Sequence, residues 1–344
     1  IYCFTVTLWL MPILIQFLLF VIGLFLLIKG ADLLVEGSSS FARKIGVSDL
    51  VIGLTVVSFG TSAPELLVNV VASLKGSADI AIGNIVGSNI SNTLLILGAT
   101  AAVTPLAIRK STVLKEIPFS ILAGIMLLIM ANDSILDGID GSWLTRSDGL
   151  VFLGFFIIFL YYTFGIRNDH KEDANHTEDP RPMWLAAIMI FGGLAGLVGG
   201  GTLAVNTAQE MALALGVSEA FVGLTAIAIG TSLPELTASM VAALKKKPDM
   251  AVGNIVGSNI FNILWILGLS SLIKPIPFST DLNIDLLVVL LSAIGLFVIV
   301  HNGQMHRRIF LWWKQSKDFV LSRTEGVTLI LCYIAYIVYV GYRG

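Results

Sequence analysis

Two glutamates carry the chemistry open to this sequence. Glu65 closes the run Gly60-Thr61-Ser62-Ala63-Pro64-Glu65, and Glu235 closes Gly230-Thr231-Ser232-Leu233-Pro234-Glu235, each inside a stretch otherwise apolar enough to span a bilayer. On a helix, Thr61 and Glu65 stand four apart and Ser62 and Glu65 three apart, so hydroxyls and carboxylate share one face; Thr231, Ser232 and Glu235 repeat the arrangement. Further on, Ser88 and Asn92, and likewise Ser258 and Asn262, are four apart. Pro64 and Pro234 lack an N–H and crowd the carbonyl four residues back, at Gly60 and Gly230, so a kink is expected at each. That would turn carbonyls near Ser58 to Thr61 and Ala228 to Thr231 toward a cavity, since non-helical backbone at membrane depth is tolerated only against protein or water. Carboxylate, hydroxyl and carbonyl oxygens are the ligands of a hard cation such as Ca²⁺ or Na⁺, and no His or Cys lies near to suit a softer metal. An ionisable residue at this depth is by default a functional candidate.

The two sets are copies of one another. Gly83-Asn84-Ile85-Val86-Gly87-Ser88-Asn89-Ile90-Ser91-Asn92 returns as Gly253-Asn254-Ile255-Val256-Gly257-Ser258-Asn259-Ile260-Phe261-Asn262. The offset is constant: 235 minus 65 and 262 minus 92 both give 170, and residues 60–98 match 230–268 at 25 of 39 positions. The likeness reaches further back, to Gly46-Val47-Ser48-Asp49 against Gly216-Val217-Ser218-Glu219 and to Gly30 against Gly200. A duplication covering most of each half follows.

The elements that must position these residues are membrane helices. Of 344 residues, 56% are hydrophobic and 13% charged, where a soluble domain carries roughly a quarter charged residues. The 33 glycines and the lack of alternating ten-residue segments favour a helical bundle over a barrel. Apolar runs long enough to cross a membrane fall near 12–36, 48–74, 80–103, 117–132, 149–165, 184–213, 218–244, 250–272, 283–300 and 325–341. The sequence therefore predicts an all-α integral membrane fold of about ten transmembrane helices. It divides into a first five-helix repeat over 1–165 with its motif at 58–98, a polar linker over 166–183, and a second repeat over 184–344 with its motif at 228–268. The linker, charged and proline-bearing, needs no fold of its own; its acidic residues lack the spacing and central Gly of a Ca²⁺ loop.

Lys and Arg concentrate in alternate loops, at Arg43 and Lys44, Arg109 to Lys115, Arg167 to Arg181, Lys245 to Lys247, and Arg307 to Arg323. The positive-inside rule makes these cytoplasmic and puts both termini outside a multi-pass cytoplasmic (inner) membrane protein. An odd number of helices per half then inverts the second repeat relative to the first, an arrangement found in transporters with a midplane site. The opening Ile1 to Leu10 lacks the basic flank of a secretory signal.

Each of these residues also has a purely structural reading. Gly83, Gly87, Gly253 and Gly257 suit close helix packing, which would bring the motif segments together. Asn84, Asn89, Asn254 and Asn259 fit either interhelical hydrogen bonds or coordination. Glu65 and Glu235 could be protonated carboxyls in a bundle interior, although that would have to occur twice in the same oxygen-rich setting. Asp32 and Glu36 are matched in the second half by Thr202 and Asn206 and read as structural polar contacts; Lys245 to Lys247 read as a cytoplasmic anchor. Cys3 and Cys332 read as free, buried or lipid-facing thiols. His170, His176, His301 and His306 lie in loops or at helix ends, out of reach of a buried serine, which argues against an enzyme. No cofactor, nucleic acid or obligatory protein partner is indicated.

The doubled G-T-S-x-P-E and G-N-x-x-G-S-N motifs resemble those of the cation/Ca²⁺ exchanger superfamily, and most of all its prokaryotic Na⁺/Ca²⁺ exchanger branch. The resemblance implies ten helices, with Ca²⁺ held by Glu65, Glu235, Thr61 and Thr231. It implies Na⁺ sites on Ser58, Thr61, Ser62, Glu65 and Ser88 and on Ala228, Thr231, Ser232, Glu235 and Ser258. The helices over 12–36 and 184–213 would slide against the remainder to alternate access. Asn92 and Asn262 complete a central polar site, and Asn262 stands where some relatives carry an aspartate, leaving two central carboxylates. Two ionised glutamates balance one Ca²⁺ or two Na⁺, and an ion-free site would hold unpaired charge at depth. The expected function is exchange of Na⁺ for Ca²⁺ by a bilayer-embedded antiporter. A Ca²⁺/H⁺ antiporter and, from a different class, a cation channel are the alternatives; internal inverted pseudo-symmetry argues against a channel, which usually assembles its pore from identical subunits.

Overall fold

The computed structural model describes residues 2–138, 140–165, 181–214, 230–310 and 319–343. Eight described helices are long and apolar enough to cross a membrane, and a ninth span is the bent pair Asp49–Thr61 and Ala63–Lys75. The span expected over 218–244 lies partly outside the described residues, and its second part is the helix Leu233–Leu244. Residues 166–180 of the linker expected over 166–183, and the Gly216 to Glu219 match, also lie outside them.

In chain order the elements are α1 (Tyr2–Ile45), α2 (Asp49–Thr61), α3 (Ala63–Lys75) and α4 (Ile80–Val103). They continue with β1 (Leu106–Ile108), α5 (Thr112–Met130), β2 (Ser142–Leu144) and α6 (Arg146–Gly165). The second half has α7 (Met183–Ala214), α8 (Leu233–Leu244), α9 (Pro248–Ile273) and β3 (Ile276–Phe278). It ends with α10 (Asn283–Phe310), β4 (Phe319–Leu321) and α11 (Arg323–Arg343).

Helix α1 runs well past the expected end at residue 36, because Gly37 and the buried Ser38, Ser39 and Ser40 do not stop a helix that is packed on its neighbours. The expected kink falls where the prolines put it. α2 and α3 meet at Ser62 with a 47° bend, and Pro64 sits in the first turn of α3, where a missing N–H costs nothing. Pro234 occupies the same place in α8.

The two halves interlock. β1 and β3 are 170 residues apart, yet each pairs with the other half's final strand: Leu106 opposite Leu321 in one ladder and Leu144 opposite Ile276 in the other. In the same way α4 packs against α11 and α9 against α6. Phe156 of α6 meets Phe261 of α9 edge-on at 4.8 Å and Trp265 at 5.2 Å, with Phe152 and Phe159 fully buried beside them. The three-residue strands were not expected from the sequence.

α1 and α7 pair along glycines. A Cβ on Gly30 would lie 2.5 Å from the Leu197 amide nitrogen, and one on Gly193 would lie 2.5 Å from that of Leu34. Gly23 and Gly200 face each other's helix equally closely. This backbone-on-backbone contact is what closely approaching membrane helices require. Lys245, at the end of α8, reaches across to α1. Its Nζ lies 3.0 Å from Asp32 and 2.8 Å from Glu36, and Arg181 adds a contact to Glu36 at 3.4 Å. The structural reading of Asp32 and Glu36 holds, whereas Lys245 is corrected from a plain anchor to a cross-link between elements. Lys247 likewise donates to Ser39. Cys332 is exposed on α11, as a lipid-facing thiol would be.

Candidate functional site

The site is assembled where α2, α3 and α4 meet α8 and α9. Helical spacing puts each motif hydroxyl on the face of its glutamate, and tight packing of α2 on α9 brings the halves together. A Cβ on Gly257 would lie 2.3 Å from the Ser58 hydroxyl, and one on Gly253 2.9 Å from the Leu50 carbonyl. The packing reading of these two glycines therefore holds. A Cβ on Gly83 or Gly87 would meet nothing within 4 Å among the described residues, so close packing does not require glycine there.

Each glutamate has a hydroxyl of the opposite half beside it, Ser62 for Glu235 and Thr231 for Glu65. Ser62 donates to Glu235 Oε1 at 2.9 Å and also lies 3.0 Å from the Ser258 hydroxyl. Glu65 Oε1 accepts from Ser88 at 3.4 Å, and Thr231 of the second half reaches the Glu65 carboxylate. Thr61 also donates to Asn254 Oδ1 at 3.1 Å, and Ser58 donates to the carbonyls of Gly53 at 2.7 Å and Asn254 at 2.9 Å. Glu65 and Glu235 are 1% exposed, and no Lys, Arg or His forms an ion pair with either among the described residues. Ala228 lies outside the described residues.

What the arrangement leaves unsatisfied is informative. Glu65 Oε2, Glu235 Oε2, Asn92 Oδ1 and Asn262 Oδ1 are buried without a hydrogen-bond partner, and so is the Ser232 hydroxyl. Buried polar atoms in native proteins are nearly all partnered. Single unpartnered atoms also occur elsewhere, for example at Ser38, Ser40, Glu116 and Thr163, but the two carboxylate and two amide oxygens here form two pairs related by the 170-residue offset, and all four are acceptors. Such oxygens suit a hard cation. Asn92 and Asn262 stand in wide π-helical turns, Ser91–Ile96 and Phe261–Leu267, a local distortion common at functional sites.

Both candidate sets are thus brought together apart from Ala228. The asparagines divide in favour of hydrogen bonding: Asn84 donates to Asn69 Oδ1 at 2.8 Å, Asn254 to Ser239 at 3.0 Å, Asn89 to the Asn259 carbonyl at 3.3 Å and Asn259 to Thr93 at 2.9 Å. Asn69, Ser239 and Thr93 were not singled out from the sequence. Asn69 and Ser239 follow their glutamates by four residues in both halves, which is the signal that could have found them.

Comparison with known proteins gives a consistent picture. The family model described as "Sodium/calcium exchanger protein" matches residues 15–165 and 185–342. The sodium/calcium exchanger MaX1 of Methanosarcina acetivorans is 30% identical over 360 residues, covering 95% of this chain and 99% of that protein. The inner membrane protein YrbG of Escherichia coli is 36% identical over 322 residues, covering 86% of this chain and 96% of that one. Among solved structures, the sodium-calcium exchanger NCX_Mj soaked with zero Na⁺ and Ca²⁺ superposes with a TM-score of 0.78 at 32% identity, covering 95% of this chain and 99% of that chain.

Proposed function

This chain belongs to the sodium/calcium exchanger protein family, a membrane-embedded cation/Ca²⁺ antiporter of the prokaryotic kind, and on that premise we propose that it drives Ca²⁺ movement with Na⁺ at a site between Glu65 and Glu235. The observation that carries the reading is the set of four buried, unpartnered acceptor oxygens on Glu65, Glu235, Asn92 and Asn262. Two carboxylates supply two negative charges, which one Ca²⁺ or two Na⁺ neutralise, and the amide oxygens add neutral ligands. Thr61 and Thr231 complete the Ca²⁺ set. Ser58, Thr61, Ser62, Ser88 and Glu65, and Ala228, Thr231, Ser232, Ser258 and Glu235, hold Na⁺ on either side.

A carrier emptied of ions would expose two uncompensated carboxylates to a low-dielectric interior, an expensive state. Crossing therefore requires a bound cation, and exchange is favoured over leak. Ten helices in two inverted halves, 1–165 and 184–344, with both termini outside and the 166–183 linker inside, are the topology we assign. α1 and α7 are the pair that slides.

The test is radiolabelled Ca²⁺ uptake into proteoliposomes loaded with Na⁺ and diluted into Na⁺-free, K⁺ or pH-jump buffer. Uptake that requires the outward Na⁺ gradient supports the reading. Uptake driven by a pH gradient without sodium replaces Na⁺ with H⁺ as the coupling ion, and a flux that needs no counter-ion and does not saturate would make the protein a channel.

A further inference from the structure

A carboxylate presents two equivalent oxygens to a cation, but an amide has an acceptor end and a donor end, and only Oδ1 can face a metal ion. For Asn92 and Asn262 to serve as ligands, something must hold each amide the right way round. The structure contains such a hold for each amide, supplied by the opposite half. Asn262 Nδ2 donates to Asn89 Oδ1 at 2.9 Å, and Asn89 Nδ2 donates to the backbone carbonyl of Asn259 at 3.3 Å. A backbone carbonyl accepts only, so it fixes the direction of the whole chain. Asn89 must turn Nδ2 toward the carbonyl, which turns its Oδ1 toward Asn262. Asn262 must then offer Nδ2, and its Oδ1 is the end left buried without a partner.

The other half uses a different terminus. Asn92 Nδ2 donates to Asn259 Oδ1 at 3.1 Å, and Asn259 Nδ2 donates to the Thr93 hydroxyl at 2.9 Å. A hydroxyl both donates and accepts, so this chain fixes its direction less firmly. The counterpart of Thr93 in the second half is Ile263, which has no hydroxyl to offer. Asn89, Asn92, Asn259 and Asn262 are all at most 6% exposed, so little solvent competes for these bonds.

We propose that Asn89 and Asn259 are positioning residues that set which end of the Asn262 and Asn92 amides faces the transported ions, with Asn89, hung on an acceptor-only carbonyl, giving the firmer hold. This rests on the reading of Asn92 and Asn262 as ion ligands. Neither Asn89 nor Asn259 touches the ion; each acts through its neighbour's Nδ2.

The test is a double-mutant cycle on the purified full chain, with Ca²⁺ binding read by isothermal titration calorimetry. Asn89→Leu frees Asn262 to turn its NH₂ inward and is expected to weaken Ca²⁺ binding by about tenfold or more, the usual cost of losing a group that orients a ligand. In an Asn262→Asp background the carboxylate has no wrong end, so the same Asn89→Leu change is expected to cost less than about threefold relative to Asn262→Asp alone. Equal losses in both backgrounds would make Asn89 a packing residue, and no loss in either would remove it from the site; both overturn the proposal. Asn89→Ala gives the same comparison if the leucine variant does not fold. The underlying site is checked separately: Asn262→Leu with Asn89 intact, or Glu65→Gln, binding Ca²⁺ as tightly as the unaltered chain would sink the ion-site reading itself.

Discussion

At the residue scale the site is defined by what its side chains lack. Glu65 and Glu235 each have one oxygen supported by hydroxyls and one bare. Replacing either by Gln keeps shape and hydrogen bonding but halves the charge available to a divalent ion. Glu65→Gln and Glu235→Gln should therefore each abolish Ca²⁺ transport in proteoliposomes while the protein still inserts and purifies. Ser62→Ala is a finer probe, because one hydroxyl serves both Glu235 and Ser258. Its loss should weaken Ca²⁺ binding by about tenfold, the worth of a hydrogen bond to a charged group, measurable by calorimetry. The motif residues were legible in the sequence because the chain states them twice. Thr93 was not, since it has no copy: its partner Asn259 lies in the other half, and a contact between halves leaves no local pattern.

At the scale of elements, prolines and glycines decide the geometry. The break at Ser62 follows from Pro64 and could be read directly from the sequence. The close pairing of α1 with α7 rests on backbone atoms touching, so its glycines divide sharply by position. A Cβ on Gly193 would meet the Leu34 nitrogen at 2.5 Å and the Gly30 carbonyl at 2.7 Å, whereas one on the adjacent Gly192 meets nothing within 4 Å. Gly193→Ala should force the two helices apart at a cost of about 1–3 kcal/mol, as overpacking does, seen as a lowered melting temperature. Gly192→Ala should be neutral or slightly stabilising, by the helix propensity of alanine. If both variants melt alike, the helices are not in contact where described. The sequence could not announce β1 to β4: a three-residue strand has no period to detect, and each pairs with a partner across more than 130 residues (Leu144 with Ile276, Leu106 with Leu321).

At the scale of the whole molecule, the duplicated halves embrace one another, but their likeness fails at one junction. Lys75 and Lys245 are equivalent positions, yet α1 offers Lys245 the carboxylates of Asp32 and Glu36, whereas the matching positions of α7 carry Thr202 and Asn206. The lysine pattern alone read as a membrane anchor, because its acidic partners lie more than 200 residues away in sequence. Burial works to lower the pKa of Lys245, but its bonds to Glu36 and Asp32 outweigh this and hold it above the ordinary lysine value. The folded-state pKa being the higher, the link is fully present below the ordinary lysine range and is lost only as pH rises through the raised value, so it persists at neutral pH. The link ties one end of the α1–α7 pair to α8, with no ion-paired equivalent at Thr202 and Asn206. If that pair slides during exchange, the link adds to the barrier for leaving the conformation described here. The three groups are partly exposed, with side-chain accessibilities of 27%, 32% and 44% for Lys245, Asp32 and Glu36, so each pair contributes only about 0.2–1 kcal/mol. Lys245→Gln should accordingly raise the exchange rate at saturating Ca²⁺ by about two- to fivefold at low ionic strength. The advantage should shrink as choline chloride screens the pairs in the unaltered protein. A rate that falls, or a gain that ignores ionic strength, would show that Lys245 supports the fold of α8 and does not restrain the movement of α1.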